Sequence, residues 1–299
     1  MNLIMCRTPL QTIIAERIIE MFPNESFEVI CYFESRNKKQ AYYSTRLKKK
    51  SELYTEIVFK NRAQEILTII YFRFIFLRKY YDKIYIANIT NVLFHTILSA
   101  STFNKIFTFD DGLANIIKSS FLYASRTSLK AKFFKFVFLI KYDAQRIKNE
   151  SSLHYTLYKN NDNIIKNTKF ISILRNITKH KDVSNNSISI CIGQPLYSDD
   201  LMNIHYFNNI IHKYDIEYYF PHPRETFRID NIIYIETQCI FEEYVVNLLK
   251  EFSEINLYTC FSSAALNVID IDGINVFIIK SAEFEEEQSI FNEFKLTFV

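Results

Sequence analysis

The sequence predicts an α/β protein built from two parallel-sheet domains, and three observations support this prediction. Short runs rich in Ile, Val, Phe and Tyr alternate with helical stretches along the chain, which is typical of Rossmann-type sheets. A polar stretch rich in Asn and Lys, residues 159–186, separates two such series. A chain of 299 residues is also long for one core, because domains of about 100–150 residues are the most common.

The first series supplies a predicted N-terminal domain, residues 1–155. Its first helix is predicted to begin with Thr8 as N-cap and Pro9 in the first turn, where proline is favoured. The predicted strands are Leu3–Cys6, Phe27–Phe33, Glu56–Phe59, Lys83–Ile86 and Lys105–Phe109. The predicted helices are Pro9–Met21, Ala41–Ser51, Ala63–Tyr80 and Val92–Ser101.

The second series supplies a predicted C-terminal domain, residues 187–299, and residues 156–186 are the predicted linker. The predicted strands are Ser187–Ile192, Tyr218–Phe220, Ile232–Ile235, Asn256–Thr259 and Asn275–Phe277. The predicted helices are Asp200–Tyr214, Phe241–Phe252, one that starts within Ser262–Val268, and Glu283–Glu293. The sequence shows no internal repeat.

Composition and cysteine usage argue against several classes of protein. The first residues lack the basic start of a signal peptide, and the longest apolar stretch, residues 66–77, contains Arg73 and is too short to span a bilayer. The cysteines are scattered and odd in number, which favours a reducing compartment and thiols that pack in the core. No His or Cys pair has the spacing of zinc ligands. We therefore expect a cytoplasmic protein without a bound metal or cofactor.

The net charge of +3 is unevenly distributed. Residues 112–142 contain many aromatic residues and no acidic residue, and their basic residues are Lys118, Arg126, Lys130, Lys132, Lys135 and Lys141. This segment is either an ordinary solvated helix face or a surface that lies on anionic lipid. No recognised motif supports nucleic-acid binding, so we expect none.

The candidate functional groups lie just after predicted strands, where parallel sheets bind their ligands. The segments with this placement are Asp110-Asp111-Gly112, Gly193-Gln194, His222 and Ser262-Ser263. Glycine and proline are rare in this chain, so those that occur beside these groups indicate turns with a special backbone conformation.

His222 stands between Pro221 and Pro223, which hold its backbone extended and fix the ring at little entropic cost. A cationic imidazole beside a phosphate could stabilise or protonate a departing oxygen. Ser262 and Ser263 open a predicted helix, and the free N–H groups of a first turn together with two hydroxyls suit a phosphate. The alternatives are a structural histidine and an ordinary serine cap.

Three carboxylate pairs are further candidates. Asp110 and Asp111 are either an acid–base site or a turn, since Asp-Gly favours turns. Asp200 and the aspartate before it are either catalytic or a helix cap with an acid in the first turn. Glu242 and Glu243 have the same structural alternative, and their functional alternative is to bind the two hydroxyls of a ribose.

These motifs resemble those of bacterial sialyltransferases of glycosyltransferase family 52, the lipooligosaccharide and capsule sialyltransferase group. The matching segments, in the order of that family, are Cys6-Arg7-Thr8-Pro9-Leu10-Gln11, Phe109-Asp110-Asp111-Gly112, Pro221-His222-Pro223-Arg224-Glu225 and Tyr258-Thr259-Cys260-Phe261-Ser262-Ser263-Ala264-Ala265. They span nearly the whole chain. The acidic-glycine, His-Pro and Ser-Ser set is shared more widely among bacterial sialyl- and polysialyltransferases, so it indicates the chemistry better than the linkage.

The resemblance implies a GT-B architecture, in which two Rossmann-like domains face each other across a cleft. The C-terminal domain would hold the donor, CMP-sialic acid, and the acceptor, a galactose-terminated oligosaccharide of the cell surface, would approach from the N-terminal domain. The implied reaction inverts the anomeric centre in one displacement and needs no metal ion. The expected product is a sialylated galactoside with an α-2,3 linkage.

The resemblance also implies roles for individual residues. His222 is the general acid or the phosphate stabiliser, and Glu242, or its neighbour Glu243, binds the ribose. The other residues of the implied donor site are Ser262 and Ser263, which hold the CMP phosphate, with Pro223, Gly193 and Gln194. We favour Asp200 as the catalytic base, and Asp110 is the second candidate base or a part of the acceptor site.

Members of this family meet membrane-bound acceptors at the inner leaflet, which gives residues 118–148 an expected role in peripheral lipid contact. Some members are dimers with exchanged segments, so a homodimer is one expected assembly. Alternative activities are those of a family 52 α-glucosyltransferase, which would use a UDP-sugar, and of a polysialyltransferase. A non-catalytic membrane-surface protein is a remote alternative, because Asp110, His222, Ser262 and Ser263 are all intact.

Overall fold

The computed structural model describes residues 1–33, 37–59, 61–118, 120–123, 129–159, 161–173, 186–294 and 296–299. It divides into two compact units, Met1–Ile173 and Leu174–Val299. The division falls inside the segment 156–186 that the sequence predicts as a linker, and the predicted least structured part of that linker, residues 182–186, lies almost wholly outside the described residues.

The first unit contains a seven-stranded sheet in which every neighbouring pair of strands is parallel. In chain order its strands are β1 (Asn2–Cys6), β2 (Phe27–Phe33), β3 (Leu53–Val58), β4 (Tyr80–Ile86), β5 (Thr102–Phe109), β6 (Ser151–Thr156) and β7 (Thr168–Phe170). The spatial order is β3-β2-β1-β4-β5-β6-β7, and its first six strands have the order that is common to Rossmann folds.

The helices of the first unit are α1 (Pro9–Met21), α2 (Lys38–Lys50), α3 (Arg62–Ile75), α4 (Val92–Ala100), α5 (Leu129–Val137) and α6 (Ala144–Glu150), with a 3₁₀ turn at Leu113–Asn115. The predicted start of α1 is confirmed, because the Thr8 hydroxyl accepts a hydrogen bond from the Gln11 N–H at 3.3 Å and Pro9 is the first helical residue.

The first unit extends further along the chain than its predicted end at residue 155. That residue lies within β6, which pairs with β5, and β7 pairs with β6 although it lies in the predicted linker. Both strands contain polar residues and lie in polar sequence, so the apolar pattern of a strand is weak there. The helix predicted to reach Tyr80 ends at Ile75, because the chain turns at Arg78, whose φ is 63°, and Tyr80 already belongs to β4.

The second unit contains a six-stranded sheet, again with every neighbouring pair parallel. Its strands are β8 (Ser187–Ile192), β9 (Tyr218–Phe220), β10 (Ile233–Tyr234), β11 (Glu254–Thr259), β12 (Ile274–Ile278) and β13 (Thr297–Phe298). The spatial order β10-β9-β8-β11-β12-β13 repeats the Rossmann order of the first unit.

The helices of the second unit are α7 (Asp200–Tyr214), α8 (Phe241–Leu248), α9 (Ser263–Leu266) and α10 (Glu285–Gln288), with 3₁₀ segments at Ala282–Phe284 and Ser289–Glu293. The predicted helix Phe241–Phe252 is therefore shorter than expected. The predicted terminal helix Glu283–Glu293 is a series of short turns, and they lead to an edge strand, β13, that the sequence pattern did not indicate.

The central strands of the first sheet are buried on both faces. Every residue of β1 and β2 is buried, as expected for a parallel sheet that is covered by helices. In the Rossmann order, the first three strands extend the sheet to one side and the later strands extend it to the other. The point where the order changes lies between β1 and β4 in the first unit and between β8 and β11 in the second. Ligands of such sheets bind at the carboxyl ends of the strands at these switch points. Within the described residues, no helix is both long and apolar enough to cross a membrane.

Candidate functional site

Three loops at the carboxyl edge of the second sheet carry the predicted donor-site residues. β9 leads to His222, β8 leads to Gly193 and Gln194, and β11 leads to Ser262. Because β8 lies between β9 and β11, and neighbouring strands are about 4.8 Å apart, the strands that lead to His222 and Ser262 are about 10 Å apart. The structure thus places these residues at one edge of the sheet, around its switch point.

Gln194 joins the middle loop to the loop that follows β11. Its Oε1 accepts hydrogen bonds from the Phe261 N–H at 3.0 Å and from the Thr259 hydroxyl at 3.3 Å. The Thr259 hydroxyl in turn accepts from the Ser262 N–H at 2.9 Å. The Gln194 side chain is therefore a tether that fixes the backbone leading into Ser262.

Gly193 joins the middle loop to the loop that contains His222. Its N–H donates to the Phe220 carbonyl at 2.9 Å, and a Cβ at this position would overlap the Glu225 carboxylate and the Tyr219 hydroxyl. Glu225 Oε2 accepts a hydrogen bond from the His222 N–H at 2.7 Å, and the Glu225 N–H donates to the His222 carbonyl at 3.0 Å. Only glycine leaves room for the carboxylate that holds the backbone of His222.

The ring of His222 has a defined tautomer. The Arg224 N–H donates a hydrogen bond to His222 Nδ1 at 3.1 Å, so in the neutral ring the proton is on Nε2. Burial lowers the pKa of His222, and the positive charge of Arg224 lowers it further. The Nε2–H group can therefore donate a hydrogen bond to an anionic oxygen while the ring remains neutral.

The two serines have different surroundings. Ser262 is buried and is the N-cap residue of α9, whereas Ser263 is exposed and begins that helix. α9 has only four residues. Its helix dipole is therefore weaker than that of a helix extending over the predicted range Ser262–Val268.

The first turn of α8 contains the two candidate ribose ligands. Glu242 is buried, and its Oε1 accepts a hydrogen bond from Asn267 Nδ2 at 2.6 Å, which connects α8 to the end of α9. Glu243 is half-buried.

Asp200 lies beside the loop that contains His222. It is exposed, begins α7, and its Oδ1 accepts a hydrogen bond from the Thr226 hydroxyl at 2.8 Å. The N-cap of α7 is Asp199, whose Oδ1 accepts from the Leu201 N–H at 2.8 Å, so Asp200 is not needed as the cap. Pro223, in the same loop as Thr226, is exposed.

Asp110, in the first unit, is bound by groups of its own sheet. Its carboxylate is fully buried and accepts hydrogen bonds from His154 Nε2 at 2.8 Å, the Thr156 hydroxyl at 2.9 Å and the Leu157 N–H at 2.6 Å. All three donors belong to β6 or the residue after it. Asp110 therefore ties β5 to β6, and its role as second candidate base or as part of the acceptor site stays a prediction.

Asp111, the next residue, is the accessible carboxylate of the pair. It is half-buried, and Gly112 after it has a φ of 81°, which favours glycine. One carboxylate oxygen of Asp111 accepts a hydrogen bond from Gln11 Nε2, and the other accepts from Asn88 Nδ2 at 2.8 Å. These partners follow β1 and β4, the strands on either side of the first switch point.

Other hydrogen bonds fix both amides in this orientation. Gln11 Oε1 accepts from the Arg7 N–H at 2.6 Å, which leaves its Nε2 to face Asp111. Asn88 Oδ1 accepts from the Thr90 N–H at 3.2 Å and the Thr90 hydroxyl at 2.9 Å, which leaves its Nδ2 to face Asp111. The carboxylate is thus held from both sides by preorganised donors.

A cavity of about 220 Å³ lies at the same switch point, and it is lined by Arg7, Thr8, Pro9, Gln40 and Asn88. The Arg7 guanidinium lies over the Tyr32 ring, 4.7 Å from its centroid. Burial raises the pKa of Asp111 to about 6, although the hydrogen bonds from Gln11 and Asn88 and the charge of Arg7 oppose this shift. In the described part of the chain, no three His, Cys, Asp or Glu side chains cluster as metal ligands.

Sequence reasoning did not single out three of these groups as candidates: Gln11, Asn88 and Glu225. It named Asp111 together with Asp110 but gave a role only to Asp110. Gln11 and Glu225 stand in the segments that carry the family resemblance, so a signal for them was present. Asn88 has no such signal. It follows a strand, as the other candidates do, but asparagine is common in this chain and its position is typical of a turn.

Comparison with known proteins gives one family. The model of glycosyltransferase family 52 matches residues 24–283. The chain is 35% identical to the CMP-N-acetylneuraminate:beta-galactoside alpha-2,3-sialyltransferase of Pasteurella multocida (strain Pm70), covering 94% of this chain and 91% of that protein. It is 31% identical to the N-acetyllactosaminide alpha-2,3-sialyltransferase of Haemophilus influenzae (strain Rd), covering 94% of this chain and 93% of that protein.

Among solved structures, the glycotransferase of kitacinnamycin is similar to this chain with a TM-score of 0.53. The match covers 100% of this chain and 85% of that structure at 10% sequence identity. At this identity the likeness shows the fold alone, which is the GT-B class of glycosyltransferases, with two Rossmann-like units.

Proposed function

Because this chain belongs to glycosyltransferase family 52, we propose that it transfers sialic acid from CMP-sialic acid to a terminal β-galactoside and forms an α-2,3 linkage. The strongest support is the 35% identity to a β-galactoside α-2,3-sialyltransferase over 94% of this chain. The site at the carboxyl edge of the second sheet agrees with this activity, because its groups suit a phosphate-bearing leaving group.

The second unit holds the donor in this proposal. His222 donates a hydrogen bond from Nε2 to the CMP phosphate, and Ser262 and Ser263 supply further donors. The tethers from Glu225 and Gln194 fix the loops that carry these groups, so little reorganisation is needed as negative charge develops on the leaving phosphate. Glu242 or Glu243 binds the ribose hydroxyls.

The bond from the anomeric carbon of sialic acid to the CMP phosphate oxygen breaks as the acceptor hydroxyl forms a new bond to that carbon. The configuration inverts in this single displacement. Asp200 accepts the hydroxyl proton, CMP leaves with the electron pair of the broken bond, and no metal ion takes part. Asp200 is supported as the base by its exposed position beside the loop that carries His222.

We also propose that the first unit contacts a lipid surface. Phe133, Phe136 and Leu139 are exposed in a segment that includes Lys135 and Lys141 and lacks acidic residues. α3 extends this surface, since its Phe74 is exposed. The two regions meet at Ser99, whose carbonyl accepts from Arg73 Nη1 at 3.1 Å and whose hydroxyl accepts from the Lys141 N–H at 2.8 Å.

The activity is tested by measuring CMP release from CMP-sialic acid with and without lactose, and by determining the linkage of the product by NMR. We expect lactose-dependent CMP release and an α-2,3 product. His222→Ala and Asp200→Ala should each lower kcat by roughly 10²–10⁴-fold. Release of UDP from UDP-glucose, with none of CMP from CMP-sialic acid, would instead identify a glucosyltransferase.

Matched variants control for loss of a histidine or an aspartate elsewhere in the second unit. His212→Ala removes an exposed histidine of α7, and Asp230→Ala removes an exposed aspartate of a loop. Both controls should retain the turnover of the unmodified protein. If Asp200→Ala also retains it, Asp200 is not the base.

A further inference from the structure

The loop that carries Ser262 is held on both sides at the carboxyl edge of the second sheet. β11, which leads into this loop, lies between β8 and β12. Gln194, after β8, accepts a hydrogen bond from the Phe261 N–H on one side. The segment after β12, residues 281–288, contacts the same loop through buried side chains. This segment therefore borders the loop on the side opposite Gln194.

Gln288 of this segment is buried and uses its whole side-chain amide. Its Nε2 donates hydrogen bonds to the Cys260 carbonyl at 2.9 Å and to the Ile279 carbonyl at 2.8 Å. Its Oε1 accepts a hydrogen bond from the Ser281 N–H at 3.2 Å. An amide has two N–H donors, and the two carbonyls use both of them. The side chain is therefore fixed in one orientation.

The two carbonyls lie at the point where β11 and β12 stop pairing. The last paired residues of these strands are Thr259 and Ile278, and Gln288 binds the residue that follows on each strand. Both of these following residues are buried. A buried carbonyl that loses its donor destabilises the structure around it. Gln288 therefore fixes the backbone at Cys260, two residues before Ser262.

Phe284 adds apolar contacts to the same loop. Its buried ring has its centroid 5.4 Å from that of Phe261 and 5.4 Å from that of Tyr197. The neighbouring residue Glu283 accepts a hydrogen bond at Oε2 from the Tyr197 hydroxyl at 2.7 Å. Because Phe261 directly precedes Ser262, a shift of this segment would displace the serine.

The hydroxyl of Ser262 depends on these backbone contacts for its position. Ser262 makes no side-chain capping bond to α9, so the hydroxyl is not committed to the helix. Its direction follows from the backbone of the loop, which Gln194 binds on one side and Gln288 on the other. Donors that are already in place stabilise developing negative charge best, because they need no reorganisation during the reaction.

We propose that Gln288 is a positioning residue of the donor site, which fixes the Cys260 carbonyl and thereby holds the Ser262 hydroxyl where the CMP phosphate binds. Phe284 supports the same position through Phe261. This inference rests on the proposed sialyltransferase function. Gln288 is itself buried, so its effect on the reaction passes through Ser262 rather than through contact with the donor.

The first test measures how much the phosphate contributes to nucleotide binding. Isothermal titration calorimetry of the full chain gives the Kd for CMP and the Kd for cytidine, which lacks the phosphate. Gln288→Met keeps the approximate side-chain volume but removes both N–H donors. We expect the Kd for CMP to rise about 10-fold in this variant, while the Kd for cytidine stays within about 3-fold.

Two variants serve as controls. Ile211→Ala opens a cavity in the core of the second unit near the end of α7, so it should lower the melting temperature. Gln145→Met replaces an exposed glutamine of α6 in the first unit. Both should keep the two Kd values of the unmodified protein. A merely structural role for Gln288 would give the pattern of Ile211→Ala, because loss of folded protein lowers the number of binding sites and not the Kd.

The second test asks whether Gln288 acts through Ser262. Ser262→Ala alone should raise the Kd for CMP about 10-fold. Adding Gln288→Met to this variant should weaken CMP binding little further, because two substitutions that remove the same interaction are not additive. Effects that multiply to about 100-fold in the double variant would show independent actions and overturn the inference.

Steady-state kinetics measure the consequence for turnover. In Gln288→Met we expect the KM for CMP-sialic acid to rise about 10-fold and kcat to fall about 10- to 100-fold, while the KM for lactose stays within about 3-fold. Phe284→Leu keeps apolar volume but loses the ring contact with Phe261, so it should change the same values in the same direction by less. Melting temperatures identify a misfolded variant, and Phe284→Leu then takes the place of Gln288→Met in the binding tests.

These outcomes separate the inference from the proposed function. If the unmodified protein transfers sialic acid to lactose but Gln288→Met keeps both Kd values, the positioning role is wrong and the function stands. If no sialic acid is transferred but the preference for CMP over cytidine still depends on Gln288, the positioning role stands and the proposed function is wrong. If the unmodified protein binds CMP no more tightly than cytidine, the inference is wrong.

Discussion

Two adjacent aspartates have different surroundings because neighbouring residues at the end of a strand point to opposite sides. Asp110 points toward β6 and is fully buried with three donors, whereas Asp111 points toward the loops after β1 and β4 and is half-buried. The first residue is bonded to the neighbouring strand, whereas the second is bonded to side chains of two loops and is partly exposed.

This difference predicts opposite consequences for stability. Asp110→Ala removes an acceptor from three buried donors, so the free energy of unfolding should fall by about 3–5 kcal/mol. Asp111→Ala should cost less, because Asp111 is only half-buried and two side-chain donors, rather than three donors, lose their acceptor. Urea unfolding followed by circular dichroism measures both values. Equal unfolding midpoints for Asp110→Ala and the unmodified protein would contradict the structural role.

At the scale of elements, the short loop after β9 is organised by one carboxylate. Glu225 binds the His222 N–H, the Arg224 N–H binds His222 Nδ1, and Gly193 on the neighbouring loop leaves space for the carboxylate. Burial raises the pKa of Glu225. Its carboxylate lies between the loop after β9, where it binds the His222 N–H, and Gly193 of the loop after β8. The orientation of the imidazole therefore depends on a residue that need not contact the substrate.

We expect Glu225→Ala to lower kcat about 10- to 100-fold, because a displacement of about 1 Å in a catalytic group has effects of this size. Glu225→Gln keeps a carbonyl oxygen for the His222 N–H and should recover most of the activity. Nitrogen-15 NMR of the His222 ring should show the proton on Nε2 in the unmodified protein and an altered spectrum in Glu225→Ala.

Glu217→Ala is the matched control, since Glu217 is exposed and lies just before β9. Its kcat and its ring spectrum should match those of the unmodified protein. A positioning role for Glu225 is excluded if Glu225→Ala and Glu217→Ala have the same turnover.

At the scale of the whole molecule, the exposed aromatic residues are concentrated in the first unit, on α3 and α5. Phe74 is 70% exposed and Phe136 is 78% exposed, although both belong to amphipathic helices whose opposite faces pack on the core. Basic residues lie beside them and acidic residues are absent from residues 112–142. This combination is typical of a surface that lies on anionic lipid.

We therefore expect the protein to float with vesicles that contain anionic lipid at low salt. Phe136→Ser should reduce the bound fraction, because it removes apolar surface that enters the lipid. Ile233→Ser, which removes an exposed apolar residue of the second unit, should not. Raising the salt concentration should weaken binding, since it screens the basic residues. A protein that stays unbound at low salt would contradict lipid contact.

The sequence alone determined much about this protein. The alternation of apolar strands and helices gave the two parallel sheets, and the cap at Thr8 and Pro9 gave the start of α1, because these signals are local in the chain. The motifs around His222 and Ser262 gave the family, which the comparisons confirmed.

Tertiary structure alone decided the rest. β6 and β7 form because a neighbouring strand supplies their hydrogen bonds, so their own polar sequences could not indicate them. For the same reason the sequence could not choose between Asp110 and Asp111. The choice depends on His154, Thr156, Gln11 and Asn88, which are distant in the chain and which the sheet brings together. Burial and hydrogen bonding depend on such long-range neighbours, and these determine which carboxylate is fully buried and which is partly exposed.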